Sequence, residues 1–248
     1  GGGRADTWLW NGATWNEAAP VTAPAARRKY SAGYDVARER VVLFAGVESW
    51  DGRDVPLGDG WEWNGAVWTQ LYTPATRSPA LVGHAMAYDE ARGQTVVFGG
   101  VRLEQLPLFA ETWTFDGIDW SKATSAVAPP ARAYHAMAYD ADRGEVVLFG
   151  GVVSDFDNES GDTWTWDGVT WTPRIGAGPP ARVAHVMAYD AARKKVMLFG
   201  GRDGTDYFSD TWSWDGDAWT QEATSGSAPE GRSHAALAYD ASRDQMVL

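Results

Sequence analysis

Short alternating runs of apolar and polar residues, each cut off by turn residues, fill this chain from end to end. Residues 129–172 show the pattern once. Pro129-Pro130-Ala131-Arg132 reads as an extended lead-in, and Ala133–Tyr139 alternates as a half-buried strand does. Asp140–Gly144 is a turn, and Glu145–Phe149 is a β-rich run that stops at Gly150-Gly151. After a variable loop, Thr163–Trp166 and Val169–Thr172 flank Asp167-Gly168. Asp-Gly suits a tight hairpin, whose central residues need positive φ. Four short antiparallel strands per unit are the expectation.

The unit recurs. Trp-x-Trp-Asp/Asn-Gly-x-x-Trp stands at Trp8–Trp15, Trp61–Trp68, Trp164–Trp171 and Trp212–Trp219, and Trp113–Trp120 carries Phe115 in the second slot. Tyr-Asp, with Arg three residues later, ends at Asp35, Asp89, Asp140, Asp190 and Asp240, which lie 54, 51, 50 and 50 residues apart. A period near 50 built from short strands is the signature of a β-propeller blade. The fold class is therefore all-β, with five four-stranded antiparallel blades expected. Their bounds are about 27–72, 77–122, 130–173, 180–221, and 230–248 plus 5–18, in one domain spanning 1–248.

That last blade is shared. The fifth unit holds only its first two strands, Ser233–Asp240 and Gln245–Leu248, while Thr7–Trp10 and Thr14–Glu17 read as a third and fourth. The expectation is a ring closed by both termini, two strands from each, which leaves no open edge. The opening Gly1-Gly2-Gly3-Arg4 reads as a processed or cut terminus and says nothing of export.

Within the first strand of each unit, the positions four and two before the Asp are very small, as in Ala85/Ala87 and Ala136/Ala138. Thin side chains belong where strands crowd, so this strand is placed innermost. Trp164 and Trp166, two apart, share a face. Tryptophans of the repeated phrase are read as packing between blades, and Trp50 is the one outside it. Each Asp and the Arg three later are read as a turn with a local ion pair. His84, His135 and His185 share one repeat position, which argues for a structural hydrogen bond.

Composition narrows the partners. The net charge is −12 with no basic cluster, so nucleic acid and anionic membrane surfaces are disfavoured, and no apolar run is long enough to span a membrane. The absence of cysteine removes disulfides, thiolate metal sites and a thiol nucleophile. A monomer is expected. The compartment stays open, with an extracellular or bacterial cell-surface setting as the expectation.

Gly99-Gly100, Gly150-Gly151 and Gly200-Gly201 fall at one phase, after runs such as Val-Val-Leu-Phe, and are joined by Arg-x-x-His-Ala starts and the Tyr-Asp and Trp-Asp phrases. Together these resemble the kelch repeat, over essentially the whole chain. Repeat one departs with Ala45-Gly46. The resemblance implies a propeller that binds other molecules rather than an enzyme. The cysteine-linked tyrosine of kelch-like copper oxidases cannot form here. The Glu-x₃-Asp-x₃-His iron site of plant thiohydroximate specifier proteins has no match. Ser213-Trp214-Asp215-Gly216 falls one residue short of a sialidase box.

Candidate ligand contacts lie where the units differ or where a basic residue recurs. Eight residues before the marker Asp stand Arg27, Arg132, Arg182 and Arg232, with Leu81 in unit two. Their parity puts them at the edge of the axial mouth. In kelch adaptors that capture acidic peptides, arginines at this place grip carboxylates, so the resemblance implies a carboxylate-bearing ligand. The bland alternative is that each Arg bonds loop carbonyls or acidic loops. His234, one position off the other histidines, turns to the Arg side. Trp50, Tyr207 and the acidic loops suit a glycan ligand as the alternative. A structural repeat unit without its own ligand and, last, a propeller enzyme complete the readings. No cofactor is expected. Asp155, Asp157 and Glu159 are a weak calcium candidate in an acidic loop that lacks EF-hand spacing.

Overall fold

The computed structural model describes residues 5–10, 13–50, 53–71, 81–102, 105–154, 158–223 and 228–248. Among them are four complete blades, each an antiparallel meander in chain order. The first comprises Ser31–Asp35, Arg40–Phe44, Gly60–Trp63 and Trp68–Leu71; the second Ala85–Asp89, Gln94–Phe98, Thr112–Phe115 and Trp120–Ala123. The third comprises Ala136–Asp140, Glu145–Phe149, Thr163–Trp166 and Trp171–Arg174; the fourth Val186–Asp190, Lys195–Phe199, Thr211–Trp214 and Trp219–Glu222. The fifth blade expected from the repeats is not assembled. Thr7–Trp10 pairs with Trp15–Ala18, and Ala238–Asp240 pairs with Gln245–Val247, as two separate two-stranded sheets.

The first strands of successive units are neighbours around the axis, as their small residues suggest. The small positions make room for the next blade. Met86 lies 3.5 Å from where a Cβ on Gly33 would stand, and Ala85 and Ala87 pack with Met137. Farther out, the fourth-strand tryptophan of one blade meets the second-strand phenylalanine of the blade before. Trp171 packs edge-on to Phe98 at 5.2 Å, Trp219 to Phe149 at 5.3 Å, and Trp120 meets Phe44 at 4.6 Å. Aromatic interlocking thus buries the repeated phrase within the complete blades, most fully at Trp166 and Trp171, while Trp8, Trp10 and Trp15 of the N-terminal copy are exposed.

The hairpin in that phrase is wider than the expected two-residue turn. Trp166 pairs with Trp171, so the loop is Asp167–Thr170. Asp167 Oδ1 accepts from the amides of Val169 and Thr170 at 2.8 and 2.7 Å. The side chain replaces a turn conformation, and only Gly168 takes positive φ. Arg92 of the previous blade passes so close that a Cβ at Gly168 would sit 2.0 Å from its Nε. The marker turn forms as expected: Asp140 accepts from the Arg143 amide and guanidinium, and Arg143 reaches on to the Lys194 carbonyl.

One outer contact is missing by a single residue. Trp68, Trp171 and Trp219 each donate their indole N–H to a threonine on the preceding sheet: Thr7, Thr112 and Thr163, at 2.9, 2.8 and 2.9 Å. Gly60 holds that place before Trp120, whose buried Nε1 has no partner. Gly60 has no positive φ, and an added Cβ would be tight only against the flexible end of Leu71, at 3.3 Å, with Leu71 Cβ and the Phe44 ring in ordinary contact at 3.5 and 3.7 Å. Gly60→Thr is expected to raise stability by about 1 kcal/mol, from one hydrogen bond and a stiffer strand. Urea melts of the variant beside the parent check it.

Candidate functional site: the axial mouth

After each double glycine the chain turns back across the same face. There it pairs with the lead-in to a first strand: Arg28 with Val47, Val82 with Val101, Ala133 with Val152, Val183 with Arg202. The variable loops beyond contain small hairpins such as Val47–Trp50 with Arg53–Pro56 and Arg202–Asp203 with Asp206–Tyr207. Val47, Val82, Val101, Ala133, Val152 and Val183 form one apolar cluster.

The arginines do not edge the mouth as the sequence suggested. Arg27, Arg132 and Arg182 turn into the blades and are buried, Arg132 and Arg182 with 0 % of their surface exposed. Each grips an aspartate two residues before a tryptophan. Arg132 holds Asp162 in a two-pronged pair at 2.6 and 2.7 Å, and also donates to the carbonyls of Gly150 and Pro130. Arg27 repeats this on Asp59, and Arg182 on Asp210. The same Asp162 accepts the Trp164 indole at 2.6 Å. Burial alone would raise the Asp162 pKa, but the Arg132 guanidinium outweighs it and holds the carboxyl at about 2. This is a clamp inside one blade. Arg232 is exposed; its Nε donates to the Glu230 carbonyl, and it meets no carboxylate among the described residues.

The histidines lie between blades, without the hydrogen bond their shared position suggested. His84, His135 and His185 pack edge-on to Phe44, Phe98 and Phe149 of the preceding blade. Neither ring nitrogen of any of the three makes a hydrogen bond of normal geometry among the described residues. Burial drives His84 down to about 4, partly offset by the Leu81 carbonyl, and His185 down to about 3, helped by the Arg182 charge. The double glycine makes this packing possible. A Cβ at Gly150 would lie 2.8 Å from the Arg182 carbonyl and 3.0 Å from the His185 ring.

One residue before each histidine position lies the ring that lines the mouth. Lys29, Gly83, Tyr134, Ala184 and His234 all take left-handed backbone, with φ of 56°, 66°, 58°, 55° and 55°. Main-chain bonds join the last four from unit to unit: Tyr134 donates to Gly83 at 2.7 Å, Ala184 to Tyr134 at 2.8 Å, His234 to Ala184 at 2.9 Å. All five line one cavity of about 150 Å³, together with Tyr30. A second space of about 380 Å³ follows the axis between the first strands. Non-glycine residues pay for positive φ, so four of them at a place where glycine also serves is a notable expense.

The mouth carries positive charge on one side. His234 is lowered by burial first, then by the charges of Arg202 and Lys29. Its ring faces Tyr134 edge-on at 6.4 Å and touches the Ser233 hydroxyl. Arg202 stands where Val47, Val101 and Val152 stand in the other units, and donates to the Gly204 carbonyl. Of the residues expected here, the structure places only His234 in the mouth. Lys29, Tyr134 and Arg202 were missed, and the signal for Arg202 was its break with the valine pattern.

The other candidates scatter. Tyr207 is exposed on its outer hairpin, and Trp50 ends a strand of another. Asp155 and Asp157 lie outside the described residues. Glu159 accepts the Gly204 amide at 3.1 Å, and no group of three metal-ligating side chains occurs among the described residues. No helix is long and apolar enough to cross a membrane.

The fold agrees with comparison to known proteins. Residues 117–248, more than half of the chain, match the family model described as the KLHDC2/KLHL20/DRC7 Kelch-repeats domain. The chain belongs to the kelch-repeat family. No curated protein matches it. Kelch-repeat domains are typically interaction modules rather than enzymes and generally need no cofactor. In this kelch chain the double glycines seat histidines, and the Arg-Asp clamps replace the arginine-lined mouth that the resemblance implied.

Proposed function

We propose that this kelch propeller is a non-catalytic binding module whose ligand, an acidic peptide segment of a partner protein, enters the axial mouth. The ring of left-handed residues carries this reading. Its backbone is uniform, but its side chains differ in charge, size and shape at every unit. Variation on a rigid frame is the usual form of a recognition surface. Lys29 and Arg202 supply positive charge in a chain of net charge −12, and Tyr30 and Tyr134 supply flat walls. A carboxylate reaching the cavity meets charge on one side and aromatic surface on the other.

The reading takes five units around one axis, with the two end sheets as halves of one blade. Arg27, Arg132 and Arg182 support the walls rather than touch the ligand. Tyr207 and Arg232, both exposed, serve as secondary contacts.

A glutamate-rich peptide pool, titrated against the chain by fluorescence polarisation, tests it. Lys29→Glu with Arg202→Glu is expected to weaken binding at least about tenfold, since each lost charge-assisted bond is worth about 1.5–3 kcal/mol. Unchanged affinity in the double variant defeats the mouth assignment. Binding that appears only on a glycan array favours a lectin-like role instead.

A further inference from the structure

Two arginines interrupt the apolar frame around the mouth. Where the lead-ins meet the strands after the double glycines, Val82 pairs with Val101 and Ala133 with Val152, all buried. In the fourth unit Arg202 stands opposite Val183, and in the first Arg28 stands opposite Val47. Arg202 and Lys29 form the positive side of the mouth. Arg28 precedes Lys29 in the chain, and its side chain is 42 % exposed.

Arg28 has a carboxylate of its own, but an incomplete one. Two main-chain bonds, each 2.9 Å, fix Arg28 against Val47, which opens the hairpin of Val47–Trp50 with Arg53–Pro56. From that hairpin Asp54 reaches back and accepts from Nη2 of Arg28 through one oxygen, Oδ1. The same oxygen accepts from the Ser49 hydroxyl at 3.3 Å. Nε of Arg28 is buried and has no partner among the described residues. The clamps are built otherwise. Arg27 engages both oxygens of Asp59 with two nitrogens and gives its Nε to the Ala25 carbonyl. Asp54 thus satisfies Arg28 by half, and a carboxylate seated side-on, bonded to Nε and Nη2 together, would improve on it. Asp54 also acts on the mouth. Burial pushes the Tyr134 hydroxyl up; the Arg202 charge opposes this and the Asp54 charge adds to it.

We propose that Arg28 is a second carboxylate subsite of the mouth, and that Asp54 occupies it until an acidic ligand takes its place. The ligand is then an acidic peptide with more than one carboxylate, one set against Lys29 and Arg202 and another against Arg28. A partly exposed ion pair contributes little to stability, so exchanging Asp54 for a ligand carboxylate costs the fold little. A subsite closed by its own chain about four-fifths of the time lowers the apparent affinity about fivefold. The proposal rests on the mouth reading, and its test separates the two.

The glutamate-rich peptide pool, titrated by fluorescence polarisation against the parent and its variants, is the probe. Asp54→Asn is expected to bind about fivefold more tightly, because Arg28 is released. Arg28→Gln is expected to bind more weakly, and adding Asp54→Asn to it should bring no gain. Glu48→Gln removes the same charge from the same hairpin, on the face opposite Ser49, and is expected to change little. An equal gain in Asp54→Asn and Glu48→Gln, or a gain that persists without Arg28, overturns the proposal in favour of general charge. A parent that binds the pool, with an Asp54→Asn variant that binds it no better, also overturns it and leaves the mouth reading standing. If neither protein binds the pool, both readings fall.

Discussion

Arg132→Ala is expected to destabilise the protein by about 3 kcal/mol, enough to lower the urea midpoint clearly. Removing one partner of a buried pair leaves the other unpaired, at a cost of about 3–5 kcal/mol. Asp162 keeps partial access to water, which puts the effect at the lower end of that range. The loss is larger than a surface ion pair would give because Arg132 also satisfies two carbonyls and holds Asp162 for Trp164. Unit two shows a milder exit. It has Leu81 in place of the arginine and Glu111 in place of the aspartate, and Glu111 bonds Lys122 at 2.5 Å instead. Arg132→Leu with Asp162→Glu is therefore expected to cost less than Arg132→Ala. A double variant as unstable as the single would show that the clamp is not the source of the effect.

Acid is expected to weaken the fold in two separate steps. The first comes from His84, His135 and His185, whose folded pKa values lie below the unfolded value near 6.5. Between those values the unfolded chain takes up protons that the folded chain refuses. Stability is therefore full above about pH 6.5 and falls as pH drops toward 4, at roughly 1 kcal/mol per histidine per pH unit. The second step belongs to the clamps. Asp162, held at about 2, and Asp59 and Asp210, also lowered, contribute above the unfolded carboxylate value near 3.9, and that contribution is lost only as pH falls toward 2. Melting temperatures across pH 8 to 2 check both. His135→Phe should flatten the first step by about a third and leave the second in place. An unchanged profile in that variant would assign the first step to other groups.

Much of the blade was legible because its signals are local. The marker Asp and its Arg close within three residues, and the small positions of the first strand are read directly from spacing. The Arg132–Asp162 clamp spans 30 residues, so parity placed the arginine at the mouth and could not show the partner that draws it into the blade. A trace was present: where Leu81 replaces the arginine, the aspartate is replaced too. The left-handed ring was hidden because Lys29, Tyr134, Ala184 and His234 are not residues that announce positive φ; only Gly83 does. The histidine bond was expected from a shared position, but a shared position is equally served by a ring laid against phenylalanine. The closed fifth blade followed from counting strands. Counting does not report whether Gln245–Val247 and Thr7–Trp10 have met.

The mouth ring has one more property. Its links run from main chain to main chain, so they are indifferent to what each residue carries. Positions 83, 134, 184 and 234, with position 29 in the same left-handed conformation beside them, behave like five letters of a short word written on one line. The links do not depend on the letters, although neighbouring letters touch, a Cβ at Gly83 falling 3.1 Å from the Tyr134 ring; the present word reads Lys, Gly, Tyr, Ala, His. Duplicating a blade copies a letter, and a single substitution then changes the word. On the proposed reading of the mouth, a new specificity would lie one or two substitutions from the old one.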